Sequence, residues 1–305
     1  MVEDNRPVMV TIRCTAYNHE SFIRQCLDGF VMQQTNFRFE AIVHDDASTD
    51  GTADIIREYA AKYPEIIKPI YQTENQYSKH DGTIGRILNQ HTRGKYVAMC
   101  EGDDYWIDPL KLQKQVDFLE SHPDYVLCTH AYRIYEQEKG DYYGDCFPVF
   151  SQKTVEFDLQ EYIKKEVWLT QPLTSLYLYS ALNIEQYRKC KFSKDLTLFY
   201  FLLTSGKGFF MNEPMGVYRS HANGVWTGAN RQERILADMR CILGIYDVEH
   251  SDEAAVLLSN MLLKSGYLGK KIYIYNIGSY YRSLKIIARH CSCVQAMRVL
   301  FSGVM

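Results

Sequence analysis

Over its first 130 residues the chain alternates short apolar runs with amphipathic stretches, and this rhythm limits the possible folds more than any other feature. Residues 8–14, 39–44, 66–71, 96–99 and 125–129 read as strands. Residues 20–34, 50–62, 83–91 and 110–121 read as helices between them, the last opening on Pro109. Strands joined through helices pair in parallel and need cover on both faces. The expectation is therefore an α/β fold, a Rossmann-like, mostly parallel sheet flanked by helices. Residues 137–194 are mixed and rich in tyrosine, which suggests hairpins and short helices. A helix over 196–205 and two short strands, 207–212 and 215–219, follow. Beyond a Gly/Ser/Asn-rich interval at 220–230 the pattern is helical to residue 305.

One acidic run stands out against this frame. Cys100-Glu101-Gly102-Asp103-Asp104-Tyr105-Trp106 follows directly on the apolar residues 96–99. The acids therefore fall at the C-terminal end of a buried strand, where open α/β sheets bind ligands. Carboxylates this close repel one another unless a cation or a set of donors compensates them. Hard oxygen ligands suit Mg²⁺ or Mn²⁺, ions that commonly join protein to a diphosphate. A solvated acidic turn ahead of a helix N-terminus accounts for the same composition. The first strand is followed by Thr15-Ala16-Tyr17-Asn18-His19-Glu20, with neither a G-x-G-x-x-G nor a G-x-x-x-x-G-K-[ST] loop. A diphosphate here lacks the glycine cradle, and a carboxylate-held metal is the common alternative.

Three ordered motifs carry a family resemblance. Val10-Thr11-Ile12-Arg13-Cys14-Thr15-Ala16-Tyr17-Asn18 resembles the opening strand and turn of family 2 glycosyltransferases with the GT-A fold. Ile42-Val43-His44-Asp45-Asp46-Ala47-Ser48-Thr49-Asp50-Gly51-Thr52 resembles their second-strand motif, and Glu101-Gly102-Asp103-Asp104 stands where their D-x-D-D run lies. The resemblance is good over residues 8–130 and weaker to about 230. It implies that Thr15, Ala16, Tyr17 and Glu20 line the nucleotide and that Asp46 accepts from the N3–H of uracil, as an ionised carboxylate can. It also implies Asp103 as a direct metal ligand, Glu101 at the ribose or in the second shell, and Asp104 as a further ligand or an outer-shell acceptor. Asp46 and Ser48 equally suit an Asx-type turn capping the helix before Thr52.

The same resemblance implies a catalytic base at the start of a helix after a variable region. Asp195 in Phe192-Ser193-Lys194-Asp195-Leu196 matches it, although Lys194 stands where an acid or glycine is commoner. An N-cap role for Asp195 fits as well. Tyr218-Arg219-Ser220-His221 resembles the family's Y-R-x-H ending, making His221 a metal ligand or diphosphate contact. Trp226, between Gly224 and Gly228, suits a segment closing over the donor, and Arg231 a phosphate contact.

The implied reaction is metal-dependent, inverting transfer from a nucleotide-sugar, with uridine diphosphate the expected carrier. The expected acceptor is a saccharide or polyprenyl-diphosphate-linked saccharide of a cell-surface polysaccharide. A nucleotidyltransferase would share the sheet and acidic site but needs a glycine-rich basic loop after strand one. A non-catalytic nucleotide- or saccharide-binding scaffold is the alternative from another class.

Charge distribution bears on partners. Residues 254–305 hold seven Lys and Arg and no Asp or Glu, so this tail carries +7 and the rest −10. Mixed with tyrosines, such helices suit an anionic membrane surface; packing on the core or self-association fits equally. No nucleic-acid motif accompanies the charge. Nine scattered cysteines without a C-x-x-C pair fit reduced thiols, and no leader or spanning run is evident, so a cytoplasmic location is expected. Residues 1–230 are expected as the catalytic domain, its nucleotide half at 1–130 and acceptor half at 131–230, with 231–305 as a helical extension.

Overall fold

The structure is a computed structural model describing residues 6–79, 82–148, 154–164, 169–222, 224, 228–265 and 277–291. It divides into two compact units: one drawn from Met1–Phe157, Trp168–Leu182 and Leu202–His221, the other from Asp158–Val167, Asn183–Phe201 and Ala222–Met305.

The first unit is built on a ten-stranded sheet. Its N-terminal half follows the expected alternation: β1 (Val8–Ala16), α1 (Ile23–Val31), β2 (Arg38–Asp45), α2 (Thr52–Lys62), β3 (Ile67–Tyr71), α3 (Thr83–His91) and β4 (Tyr96–Met99). The order β3-β2-β1-β4 is parallel throughout. Val10, Ile12, Cys14 and Ala16 alternate along one face of β1 and bury against α1. Ile23, Cys26, Leu27 and Phe30 answer them at i, i+3, i+4 and i+7, a single helical stripe. Gly29 lets α1 approach closely, since a Cβ there would lie 2.9 Å from the Trp106 backbone nitrogen.

The other half of the sheet is mixed. It contains β5 (Tyr105–Trp106), β6 (Tyr125–Glu136), β7 (Asp141–Phe147), β8 (Thr154–Phe157), β9 (Leu176–Leu178) and β10 (Lys207–Ser220), with α4 (Lys111–Ser121) before β6. Short β9 inserts antiparallel between β4 and β6, while β6 and β10 run parallel. The two strands expected at 207–212 and 215–219 are one strand, bulged between Met211 and Gly216. Pro214 lacks an N–H, and the bulge lets the ladder continue past it.

In the second unit lie α5 (Leu159–Lys164), α6 (Ile184–Lys189), most of α7 (Asp195–Leu203), α8 (Arg231–Glu249), α9 (Asp252–Ser265) and α10 (Ile277–His290). Asn230 and Glu233 form a capping box that starts α8. The Tyr246 hydroxyl is hydrogen-bonded to His290 Nε2 at 2.6 Å, and His290 Nδ1 meets Asp252 Oδ1 at 2.7 Å, which ties α8, α9 and α10 together. Asn260 Nδ2 donates to the Ile163 carbonyl at 2.9 Å, joining α5 to α9. No helix among the described residues is long and apolar enough to cross a membrane.

Candidate functional site

The loops that follow β1, β2 and β4 meet at the sheet's C-terminal edge. Pairing between β1 and β4 continues past the strand ends, with Cys100 N donating to Arg13 O at 3.1 Å and Gly102 N to Thr15 O at 2.9 Å. The acidic run is thereby laced to the end of β1. Gly102 is required by close packing, because a Cβ there would lie 2.8 Å from His19 Nδ1 and 3.0 Å from Ala16 Cβ. The Thr15 hydroxyl donates to the Glu101 carboxylate. Asp103 Oδ2 lies 3.1 Å from His221 Nε2, just past the end of β10, and 3.9 Å from His19 Nε2. Asp104 is buried, and its Oδ1 accepts from Arg219 N at 2.8 Å.

Arg219 braces this arrangement. Its guanidinium donates to the Asp103 carbonyl at 2.9 Å, to Gln137 Oε1 at 2.7 Å and to Gln25 Oε1 at 2.5 Å. The rings of Phe22, Tyr105 and Tyr135 surround it at 4.9, 5.1 and 5.6 Å. His19 is placed from two sides: its N–H donates to Thr52 Oγ1 at 2.8 Å, and its carbonyl accepts from Phe22 N and Ile23 N at the opening of α1.

The acids respond differently to this setting. Burial, followed by the charges of Asp103 and Glu101, pushes the Asp104 carboxyl well above its ordinary value, although the Arg219 N–H opposes them. Burial also works against ionised Asp103, but the His221 hydrogen bond and the neighbouring His19 outweigh it and hold that carboxyl low. Burial lowers the pKa of His19 despite the pull of Asp103, which favours a neutral imidazole.

Asp46 lies at the same edge, just past β2, with both carboxylate oxygens engaged by N–H groups of the 75–79 turn. The remaining sequence-predicted residues of the first unit are close by in the chain but have distinct surroundings. Ala16 is buried and Tyr17 is 44% exposed. Glu20 turns to the neighbouring loop, accepting from Gly51 N at 3.0 Å. Asp195 begins α7 in the second unit, half-buried, and its Oδ1 accepts from Leu196 N at 2.9 Å. Arg231 is exposed at the first position of α8, also in the second unit. Trp226 lies outside the described residues, as does much of the basic tail; within that tail Arg282 pairs with Asp247. His19 and Arg219 carry no site role in the sequence patterns, although both lie within motif segments, Thr15–Glu20 and Tyr218–His221.

The donor set is compatible with a divalent cation. Two ligands at right angles on Mg²⁺ or Mn²⁺, with bonds of about 2.1 Å, lie about 3 Å apart, close to the Asp103–His221 separation of 3.1 Å. Among the described residues no three His, Cys, Asp or Glu side chains form a ready metal cage. Ions of this kind commonly take one or two protein ligands and complete their shell with substrate phosphates and water.

Comparison with known proteins accords with this geometry. A family model described as Glycosyl transferase family 2 matches residues 11–183. An uncharacterized protein of Mycobacterium tuberculosis is 36% identical over 231 residues, which cover 74% of this chain and 62% of the relative. The chain thus spans less than two thirds of that relative's length. The UDP-Glc:alpha-D-GlcNAc-diphosphoundecaprenol beta-1,3-glucosyltransferase WfaP of Escherichia coli is 29% identical over 124 residues, covering 41% of this chain and 46% of that one. Among solved structures, Staphylococcus aureus TarS 1–349 in complex with UDP-GlcNAc superposes with a TM-score of 0.68 at 15% identity, over 97% of this chain and 88% of that one. The structural likeness establishes the fold.

Proposed function

The chain belongs to glycosyl transferase family 2, and from that premise we propose that it transfers a sugar, with inversion, from a uridine diphosphate donor to a saccharide or lipid-linked saccharide acceptor. The observation that carries this reading is the convergence of Asp103, His221, Glu101 and Thr15 at one sheet edge. The uridine carrier is supported by the UDP-Glc in the name of WfaP and the UDP-GlcNAc bound to TarS. The diphosphoundecaprenol in the name of WfaP likewise supports a lipid-linked acceptor in polysaccharide synthesis.

Asp103 and His221 are the residues proposed to hold a divalent cation. Such an ion, when bound, neutralises the diphosphate and makes it a better leaving group. Glu101, which accepts from the Thr15 hydroxyl, is the residue proposed to accept from ribose hydroxyls. Arg219 and Asp104 keep the acidic turn in position for Asp103. Asp195 takes the proton of the acceptor hydroxyl as its oxygen attacks the anomeric carbon. The new C–O bond forms as the bond to the diphosphate breaks on the opposite face, and the nucleoside diphosphate departs. The basic tail is proposed to rest on an anionic membrane near a lipid-linked acceptor.

Calorimetric titration with UDP, with and without Mn²⁺, tests the reading. Wild-type protein should bind UDP more tightly when Mn²⁺ is present, and Asp103→Asn should remove roughly 10- to 100-fold of that gain while remaining folded. Metal-independent UDP binding would instead indicate a scaffold, and an unchanged Mn²⁺ effect in Asp103→Asn would refute the ligand assignment. A nucleotide-release screen across UDP-, GDP- and dTDP-sugars identifies the donor.

A further inference from the structure

The second unit carries a cleft of about 440 Å³ that none of the residues proposed for transfer lines; it forms where α6 and the segment after it meet α8. A tight backbone approach closes its floor. A Cβ on Gly244 would lie 3.1 Å from the Phe192 carbonyl oxygen, and the Cys190 thiol meets the Gly244 carbonyl at 3.5 Å. The α6 side contributes Lys189 and Lys191, and α8 contributes Asp247. Arg282 reaches Asp247 from α10, so the acid that lines the cleft is already neutralised by a cation of a third helix. Lys191 is exposed. Lys189 pairs with Glu185 at 3.4 Å, but the two side chains are 54% and 84% exposed. A pair so open to water contributes little and yields readily to another anion.

Arg282 also begins a basic stripe. Arg282, Lys285 and Arg289 fall at i, i+3 and i+7 on α10, on one face of the helix, and all three are exposed. Tyr281, beside them, is 51% exposed. Ser283, Ile286 and Ile287 are buried. The apolar side of α10 over residues 281–290 is therefore used in packing, and the side left to solvent is cationic. No Asp or Glu occurs from residue 254 to residue 305, so no acid of α10 itself offsets the stripe. A helix in this condition meets an anionic surface by charge, without inserting an apolar face. Through the Arg282–Asp247 pair the stripe is joined to the wall of the cleft.

We propose that the cleft seats the phosphate of an anionic phospholipid headgroup while the α10 stripe lies against the surrounding membrane surface. The proposal rests on the membrane contact proposed above for the basic tail, and it adds Lys189 and Lys191, which lie outside that tail. Lysine supplies a compact point charge suited to a phosphate. The charge is complementary, and Tyr281 suits the headgroup level, where amphipathic rings settle. Each Lys or Arg near an anionic leaflet strengthens binding roughly fivefold, and the effect fades within a Debye length of about 10 Å at 0.1 M salt. Lys189, Lys191, Lys285 and Arg289 together account for a gain on the order of 10²- to 10³-fold.

Co-sedimentation of the full chain with vesicles tests this. Wild-type protein should bind phosphatidylcholine vesicles containing phosphatidylglycerol at least roughly tenfold more tightly than phosphatidylcholine alone, and should lose that preference as salt rises from about 0.1 M to about 0.5 M. Lys189→Glu combined with Lys191→Glu should weaken binding to the mixed vesicles by roughly 25-fold or more, and Lys285→Glu combined with Arg289→Glu by a similar factor. Lys191→Gln alone should cost about fivefold. All four side chains are exposed, so these variants should keep the melting midpoint and nucleotide affinity of wild type. Binding to mixed vesicles that survives the Lys189 and Lys191 reversal would overturn the cleft's role and leave the tail's membrane contact standing. Glycerol phosphate that displaces the protein from vesicles at well below about 1 mM would assign the cleft to a free phosphorylated ligand instead. Equal binding to the two vesicle types, or a DNA duplex bound as tightly as the mixed vesicles, would overturn the lipid assignment. No vesicle binding with nucleotide binding intact would remove the membrane reading and this proposal together, and leave the transfer reaction untouched.

Discussion

Lys111 is fully buried beneath the sheet, its Nζ 4.0 Å from the centre of the Trp106 ring and 2.8 Å from Gln115 Oε1. Burial lowers its pKa from the ordinary 10.5 to about 7, and the nearby Cys100 and Cys128 thiols offset this only in part. Between those two values the unfolded chain holds the lysine proton and the folded protein has released it, so this group's contribution to stability rises with pH from about 7 to 10.5. At 1.36 kcal/mol per tenfold change, the cost of burying Lys111 is about 4 kcal/mol at pH 7 and about 1 kcal/mol at pH 9.5. Lys111→Met keeps the length of the side chain, removes that cost and loses one hydrogen bond worth about 1 kcal/mol. The variant should therefore be about 3 kcal/mol more stable than wild type at pH 7, with the gap nearly closed at pH 9.5. Urea unfolding at both pH values measures this directly. A variant less stable than wild type, or a gap that does not change with pH, would show that Lys111 is charged and compensated inside the fold.

Asp195→Asn should lower transfer by about 10²- to 10⁴-fold while nucleotide affinity is preserved, and wild-type turnover in that variant would remove Asp195 as the base. Gly102→Ala should destabilise the first unit by about 1–3 kcal/mol, because the new Cβ meets His19 and Ala16. Thermal melting reads that loss, and an unchanged midpoint would mean that the acidic turn yields easily.

The N-terminal half was legible in the sequence because each strand there is a compact apolar run bounded by turn residues. α3 and β4 match their expected limits, and β1 and β2 extend one or two residues further into their loops. The second half was harder to read because its pairings are non-local. Nothing in the three residues Leu176–Leu178 announces a strand that must insert between β4 and β6. Pro214 and Gly216 make β10 look interrupted, although the bulge keeps it whole. β6 runs to Glu136, beyond the expected 129, since its later residues are only partly buried and lack a clean apolar pattern. At the site, Asp103 and His221 were legible through their motifs, and the structure brings them within 3.1 Å. The anchoring work of Asp46, the bracing by Arg219 and the position of His19 depend on residues distant in sequence, such as Gln76, Gln137 and Thr52. No local pattern encodes those partnerships.

The chain passes between its two units at 157/158, 167/168, 182/183, 201/202 and 221/222. Cutting it after residue 230 would remove α8, α9 and α10 yet leave α5, α6 and most of α7 behind, without the other helices of their unit. α5 would lose the Asn260 contact, and Cys190, which follows α6, would lose the Gly244 carbonyl. Chimeras between relatives therefore require several coordinated junctions, and recombination at a single crossover should yield insoluble protein. Specificity in this architecture is more readily exchanged loop by loop than domain by domain.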